Sequence, residues 1–265
     1  MSDPCYCQYA FTQPECRVEG IGPGVDPRFP VELVREGPIA ALTSRVDLHR
    51  FNPERLQGKT AEDLQWLSRT ATRHHEIICQ AAARSAVLPL RLGTVFRSRD
   101  SLQGILVRCR STVVAFLKRL GQQQEWGVKL YLRQRRWEPA SGHLGLPPPH
   151  YLEPQRTGTA YLTQKKAQLE SRRELRAGIQ RAIQEVEQHL AGKAVESCRI
   201  RNLPADLTGR NEEMVFNAAF LLPVSARTGW LETVQNLDHE VQGQGLVLEV
   251  SGPWPPYHFC PSLEL

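Results

Sequence analysis

An apolar stretch at residues 86–97, AVLPLRLGTVFR, constrains the fold more than any other part of the chain. It lies between two long amphipathic patterns and is too short for a separate helix, so it predicts a buried strand whose flanking helices pack on one sheet. Pro89 has no N–H for a strand ladder, and we therefore expect it at a sheet edge or a bulge. Gly93 is expected to turn the chain where the strand ends. The guanidinium of Arg91 should then reach a carboxylate or carbonyl groups or extend to the surface, and a structural role is expected, with ligand binding as the alternative.

Both flanking segments have helical periodicity and recognisable caps. Thr60 begins the first helix, with Asp63 in a weak capping box. Its apolar stripe comprises Leu64, Leu67, Ala71, Ile78 and Ala82, with His74 or His75 filling the gap. Ser98 caps the second helix and Gly121 ends it. Its stripe comprises Leu102, Ile105, Leu106, Cys109, Val113, Phe116, Leu117 and Leu120.

The remaining elements predict an α+β fold with two domains. A strand over residues 5–11 and a hairpin around Gly37-Pro38 precede the first helix, and a strand near 126–132 follows the second. The second half contains a helix at 159–190, strands at 195–203 and 214–222, a helix capped by Ser225 or Thr228, and a strand at 246–250. This order is βαββαβ without its first strand. We therefore expect two modified ferredoxin-like domains, 1–133 and 159–265, joined by a Pro/Gly-rich linker at 134–158.

Composition narrows the possible functions. The chain has 265 residues, of which 41% are hydrophobic and 23% charged, and a net charge of +5. These are globular values. No basic stretch is interleaved with aromatic residues, which argues against a nucleic-acid partner. There is no signal-peptide pattern and no apolar run of membrane-spanning length, so a soluble, cytoplasmic protein with reduced cysteines is expected.

No residue pattern predicts an enzyme or a bound cofactor. His75 and Cys79 share a helical side but supply only half of a tetrahedral metal site. Cys5, Cys7 and Cys16 are close in sequence, yet the chain has no Cys-x-x-Cys pair, so a zinc site is the weaker interpretation. The glycine-rich segment 20–24 lacks the Lys-Ser/Thr of a phosphate loop. We expect no catalytic residue, no cofactor and no metal.

The segment 251–257, SGPWPPY, is the most distinctive remaining piece. Its three prolines favour an extended backbone, and Trp254 and Tyr257 offer large apolar area with polar tips. It is expected to fold back and pack these aromatic rings across both domains. The alternative is that it serves as a hook for a partner.

Four segments, in order along the chain, resemble the gas vesicle F/L protein family, GvpF and GvpL. They are residues 88–96 (LPLRLGTVF), 125–131 (EWGVKLY), 209–221 (GRNEEMVFNAAFL) and 251–259 (SGPWPPYHF). The first strand, Cys5-Tyr6-Cys7-Gln8-Tyr9, departs from the family's more apolar start.

The resemblance implies two α+β domains and a minor, non-enzymatic protein associated with gas vesicles in the cytoplasm. It implies contact with the main gas vesicle shell protein and other accessory proteins during nucleation or assembly, and no nucleic-acid or membrane partner. The residues singled out for partner contact are Arg91, Thr94, Phe96, Trp254 and Tyr257. A small-molecule or regulatory binding module is the alternative function, and a thiol enzyme is a third.

Overall fold

The structure is a computed structural model and describes residues 5–48, 51, 56–133 and 158–264. Contacts between residues group the chain into two compact units. The first comprises Met1–Trp126, Leu221–Val224 and Gly252–Leu265, and the second comprises the rest. Residues 127–133 thus group with the second unit and the C-terminal tail with the first. Nearly all of the predicted linker, 134–157, lies outside the described residues, so the domain boundary stays a prediction.

An antiparallel sheet organises the first unit. Its strands follow the order β2-β3-β1-β4, and β5 pairs with β1 as well. The strands are β1 (Cys5–Thr12), β2 (Val31–Glu36), β3 (Ile39–Val46), β4 (Val87–Pro89) and β5 (Val95–Phe96). The predicted hairpin is confirmed: β2 and β3 pair, with Gly37 at φ 60° in the turn between them. That positive φ is why a glycine is needed there.

The predicted strand at 86–97 is wrong in its length. Two short strands, β4 and β5, are separated by a turn in which Gly93 has φ 91°. Arg91 lies in this turn and is exposed, so of the alternatives that the sequence left open for its side chain, the surface position is the one observed. Pro89 sits in β4, the terminal strand of the order, so its expected place at an edge is confirmed.

Helix α1 (Ala61–Ala82) packs one face against this sheet. The Thr60 hydroxyl accepts a hydrogen bond from the Asp63 N–H, as the capping pattern predicts. The buried face is rotated from the predicted stripe, because Leu64 is 56% exposed. The residues that are buried are Thr70, His74, Ile77, Ile78 and Ala81.

Helix α2 (Arg99–Leu120) confirms its prediction throughout. Ser98 and Ser101 form a reciprocal capping box, and Gly121 is the C-cap. Its eight buried residues are the eight of the predicted stripe. An uninterrupted amphipathic pattern of this kind identifies the buried face, because apolar residues spaced three and four apart form one stripe along the helix.

The second unit is built on a sheet with the strand order β7-β8-β6-β9. Its elements are β6 (Gln123–Leu132), α3 (Gly158–Ala191), β7 (Glu196–Arg199), α4 (Ala205–Thr208), β8 (Glu213–Pro223), α5 (Arg227–Gly243) and β9 (Leu246–Trp254). The strand predicted at 195–203 is thus shorter. α5 begins after a 3₁₀ turn and has no side-chain cap, so neither Ser225 nor Thr228 caps it.

Trp230 is the centre of the packing between α3 and α5. It is fully buried, its ring centroid lies 5.8 Å from that of Phe220, and its Nε1–H donates to the Leu190 carbonyl oxygen at 3.3 Å. A buried indole N–H needs such a partner. The chain therefore has a mixed α+β fold with two antiparallel sheets and packed helices. Among the described residues, no helix is long and apolar enough to cross a membrane.

Candidate functional site

The C-terminal tail, residues 252–264, is held on the first unit by a buried carboxylate. Glu125, in the first part of β6, is 2% exposed. Its Oε2 accepts the backbone N–H of His258 at 2.9 Å, and its Oε1 lies 2.6 Å from His258 Nδ1. The hydrogen bond to this carboxylate raises the pKa of His258. Arg119 of α2 adds a second anchor by donating to the Phe259 carbonyl oxygen at 2.9 Å.

The two aromatic rings of the tail rest on His75 of α1. The ring centroids of Trp254 and Tyr257 lie 5.5 Å and 5.8 Å from that of His75, and the Tyr257 hydroxyl is 2.8 Å from His75 Nδ1. The tail therefore packs back on the first unit, while the expectation that it spans two domains stays a prediction. Both rings remain more than one third exposed, at 38% and 37%.

An open cavity of about 670 Å³ lies between this tail and the turn that follows β4. We call it the Arg91 cleft. Its walls are formed by Ala71 and His74 of α1, Leu88, Pro89, Leu90, Arg91, Leu92, Thr94, Tyr257, Cys260, Pro261, Ser262 and Leu263. The structure thus brings together three of the five residues singled out in the sequence: Arg91, Thr94 and Tyr257.

Thr94 fixes the turn that carries Arg91. Its hydroxyl donates to the Arg91 carbonyl oxygen at 2.9 Å, and its N–H reaches the same oxygen at 3.3 Å. Its own carbonyl oxygen accepts the Gln8 N–H of β1 at 2.9 Å. Thr94 therefore has a positioning role, and the turn is ordered before anything binds.

Arg91 is the charged side chain of the cleft. Its guanidinium is exposed and has no hydrogen bond or ion pair with any described residue. His74 lies in the wall but is buried, and burial lowers its pKa, so it is neutral near pH 7. Its Nε2 lies 3.1 Å from the Leu90 carbonyl oxygen, which places the ring proton on that nitrogen. Among its described lining residues, the cleft thus offers one cation beside mainly apolar groups.

The other two residues singled out in the sequence lie elsewhere. Phe96 is in β5, paired with Tyr6 of β1, and does not line the cleft. Trp254 lines a second cavity of about 610 Å³ in the first unit. That cavity is bounded by Cys79, Arg84, Leu117, residues 120–124, Val224 and residues 253–256, among others.

Burial favours the protonated form of two thiols that were considered for metal binding or catalysis. Cys79 Sγ lies 3.3 Å from His75 Nε2, but burial raises the Cys79 pKa, which disfavours the reactive thiolate. Burial also raises the pKa of Cys7 to about 12. Within the described ranges, no three His, Cys, Asp or Glu side chains are grouped as a metal site requires.

Sequence reasoning missed Glu125, Arg119 and His258, the groups that anchor the tail. Glu125 gave a usable signal, because a carboxylate inside an apolar strand is normally paired. The sequence did not identify its partner, which is 133 residues away.

Comparisons with known proteins agree over almost the whole chain. The model of the family described as gas vesicle synthesis protein GvpL/GvpF matches residues 5–261. The chain is 30% identical to gas vesicle protein L of Streptomyces sp. (strain CB03234), over 95% of this chain and 91% of that protein. It is 25% identical to gas vesicle protein F of the same strain, over 92% of each.

Two crystal structures share the fold. One is gas vesicle protein GvpF from Anabaena sp. PCC7120, with a TM-score of 0.69, 18% identity and coverage of 99% of this chain and 98% of that one. The other is GvpF from Microcystis aeruginosa, with a TM-score of 0.63, 17% identity and coverage of 97% and 98%. The family model extends from β1 to the tail that closes the Arg91 cleft, and the chain therefore belongs to the gas vesicle synthesis protein GvpL/GvpF family.

Proposed function

We propose that this chain is a minor, non-enzymatic gas vesicle protein that contacts the main shell protein and other accessory proteins during nucleation and assembly. Family membership supports the setting. The observation that carries the contact role is the Arg91 cleft, an open cavity with leucine and proline walls and one exposed cation. We place the protein at gas vesicles within the cytoplasm.

The physical reason for such a contact lies in the assembly of any apolar shell. Subunits that will bury apolar surface in a polymer expose it beforehand, and exposed apolar surface aggregates unless another protein covers it. A cavity of about 670 Å³ has room for a few side chains of a partner. Leu92 and Leu263, which line the cleft and are partly exposed, would supply apolar contact area, and the hydrogen-bonded turn would limit the entropy lost on binding.

The test is co-expression with the shell protein, followed by affinity capture and light scattering. Leu92→Asp places a charge in the cleft wall and should reduce capture of the shell protein. Val107→Asp is the matched control, because Val107 is 53% exposed on α2 and outside the cleft. The proposal fails if folded wild-type protein neither captures the shell protein nor increases its solubility.

A small-molecule or regulatory binding module is the second candidate, and cavity size favours it. The second cavity, about 610 Å³, is also within the range of ligand sites and includes Arg84, Ser85 and Gln124 among its lining residues. A thermal-shift screen against metabolites and nucleotides tests this candidate. A saturable shift that Arg84→Ala abolishes would support it.

We also propose that both units are modified ferredoxin-like folds. The sequence pattern of the second half lacked a first strand, and we assign that place to β6. The βαββαβ order then consists of β6, α3, β7, β8, α5 and β9, with the short α4 inserted. The segment at 134–158 is proposed as the linker between two domains. Limited proteolysis should then cleave first within this segment.

A further inference from the structure

We propose that the Arg91 cleft binds an apolar segment of a partner protein through an aspartate or glutamate side chain, which pairs with the Arg91 guanidinium. This inference rests on the proposed function, in which the cleft is the contact surface. It adds the chemistry of the segment that is recognised.

Several arginines of the first unit pair with carboxylates, and Arg91 is not among them. In the first unit, Arg28 pairs with Asp26 at 2.6 Å, Arg73 with Glu76 at 2.9 Å and Arg110 with Glu36 at 2.9 Å. Arg91 has no such carboxylate among the described residues, and no Asp or Glu is among the described residues that line its cleft. A planar guanidinium with its donors unused suits a carboxylate, which it can bind through two parallel hydrogen bonds.

The surroundings of Arg91 determine what must accompany the carboxylate. Leu92, Pro261 and Leu263 are partly exposed and supply apolar walls, and the neutral His74 does not compete for an anion. An isolated small anion would leave these walls uncovered. An acidic side chain flanked by apolar residues would pair with Arg91 and cover the leucines at the same time.

Preorganisation favours Arg91 over an arginine on a loose surface loop. Two hydrogen bonds from Thr94 hold the Arg91 carbonyl oxygen, and Gln8 of β1 holds Thr94 in turn. The backbone that presents the guanidinium is therefore fixed before binding, so less conformational entropy is lost when the pair forms. Charge complementarity also accelerates association at low salt.

The experiment uses the full chain and an array of overlapping peptides covering the shell protein and the other gas vesicle accessory proteins. All peptides are acetylated and amidated, so that side chains carry the only carboxylates. We expect the bound peptides to contain Asp or Glu beside apolar residues. Changing that residue to Asn or Gln should weaken binding about tenfold, and binding should weaken further with added salt.

Variants of the protein then identify the cation. Arg91→Gln should lower the affinity for the acidic peptide about tenfold but leave the affinity for its amide version unchanged, which is the result of a double-mutant cycle for a direct pair. Arg91→Lys should restore part of the affinity. Arg108→Gln, an exposed arginine on α2 outside the cleft, should have no effect.

The possible failures can be separated. The inference is overturned if no peptide binds, if the bound peptides lack carboxylates, or if Arg91→Gln binds as tightly as the wild type. If wild-type protein and Arg91→Glu capture the shell protein equally well, the proposed function stands and this inference does not. If neither the wild-type protein nor Arg91→Glu captures the shell protein, but acidic peptides still bind through Arg91, the proposed chemistry of the cleft is supported. The shell protein is then excluded as the partner of the cleft.

Discussion

Replacing His258 with alanine should loosen the C-terminal tail by an amount that depends on pH. In the wild-type protein His258 gives the buried Glu125 carboxylate two hydrogen bonds, one from its backbone N–H and one at Nδ1. The alanine variant keeps the backbone bond and loses the ring. The Oε1 atom of a side chain that is 3% exposed then has to find water or stay unpaired.

The magnitude follows from this geometry. A hydrogen bond to a charged group contributes about 1.5–3 kcal/mol, and the 43% exposure of the His258 side chain argues for less, so we expect about 1–2 kcal/mol. The pKa of His258 is raised in the folded protein. Its contribution is therefore complete below the unfolded pKa, near 6.5, and is lost as pH rises through the higher folded value. The alanine variant should show the larger deficit at pH 6 and the smaller at pH 9.

Hydrogen exchange of the tail amides measures this opening directly, because local opening is reported separately from global unfolding. The free energy of opening should fall in His258→Ala, by more at pH 6 than at pH 9. His239→Ala is the control, since His239 is exposed on α5. A deficit that is the same at both pH values, or greater at pH 9, would refute the role of the protonated ring.

Three further predictions concern stability and reactivity. Arg91→Met should change the free energy of unfolding by no more than about 0.5 kcal/mol in denaturant titrations, because the side chain is exposed. A loss near 3 kcal/mol would instead support a buried Arg91 that is paired with a carboxylate. Gly24→Ala should lower the unfolding free energy by about 1–3 kcal/mol, because a Cβ there would overlap the Ser44 side chain; an unchanged melting temperature would contradict this packing. Cys7 is buried with a pKa of about 12, so a thiol reagent at pH 8 should label it only after unfolding, and rapid labelling of the native protein would count against its burial.

Local patterns in the sequence predicted the structure correctly where they depend only on residues that are close together in the chain. The Ser98 capping box, the buried stripe of α2 and the β2–β3 hairpin all follow from residues a few positions apart. The α1 stripe was only partly right: His74, which contacts Tyr9 and hydrogen-bonds to Leu90, is buried as one of the two histidines expected in the stripe, but Leu64 is exposed. The helix orientation is determined by what packs against it, and those residues lie elsewhere in the chain.

The sequence alone determined the α+β class, the positions of the main helices and the family resemblance, because these depend on periodicity and short segments. Only the tertiary structure decided that Arg91 is exposed and that the tail closes a cleft beside it. An apolar run such as residues 86–97 predicts burial on average, but a turn at Gly93 inside the run carries Arg91 to the surface. Arg91 and Tyr257 line the same cleft because Glu125 anchors the tail through His258. Such pairings depend on how distant segments pack, and no local pattern encodes them.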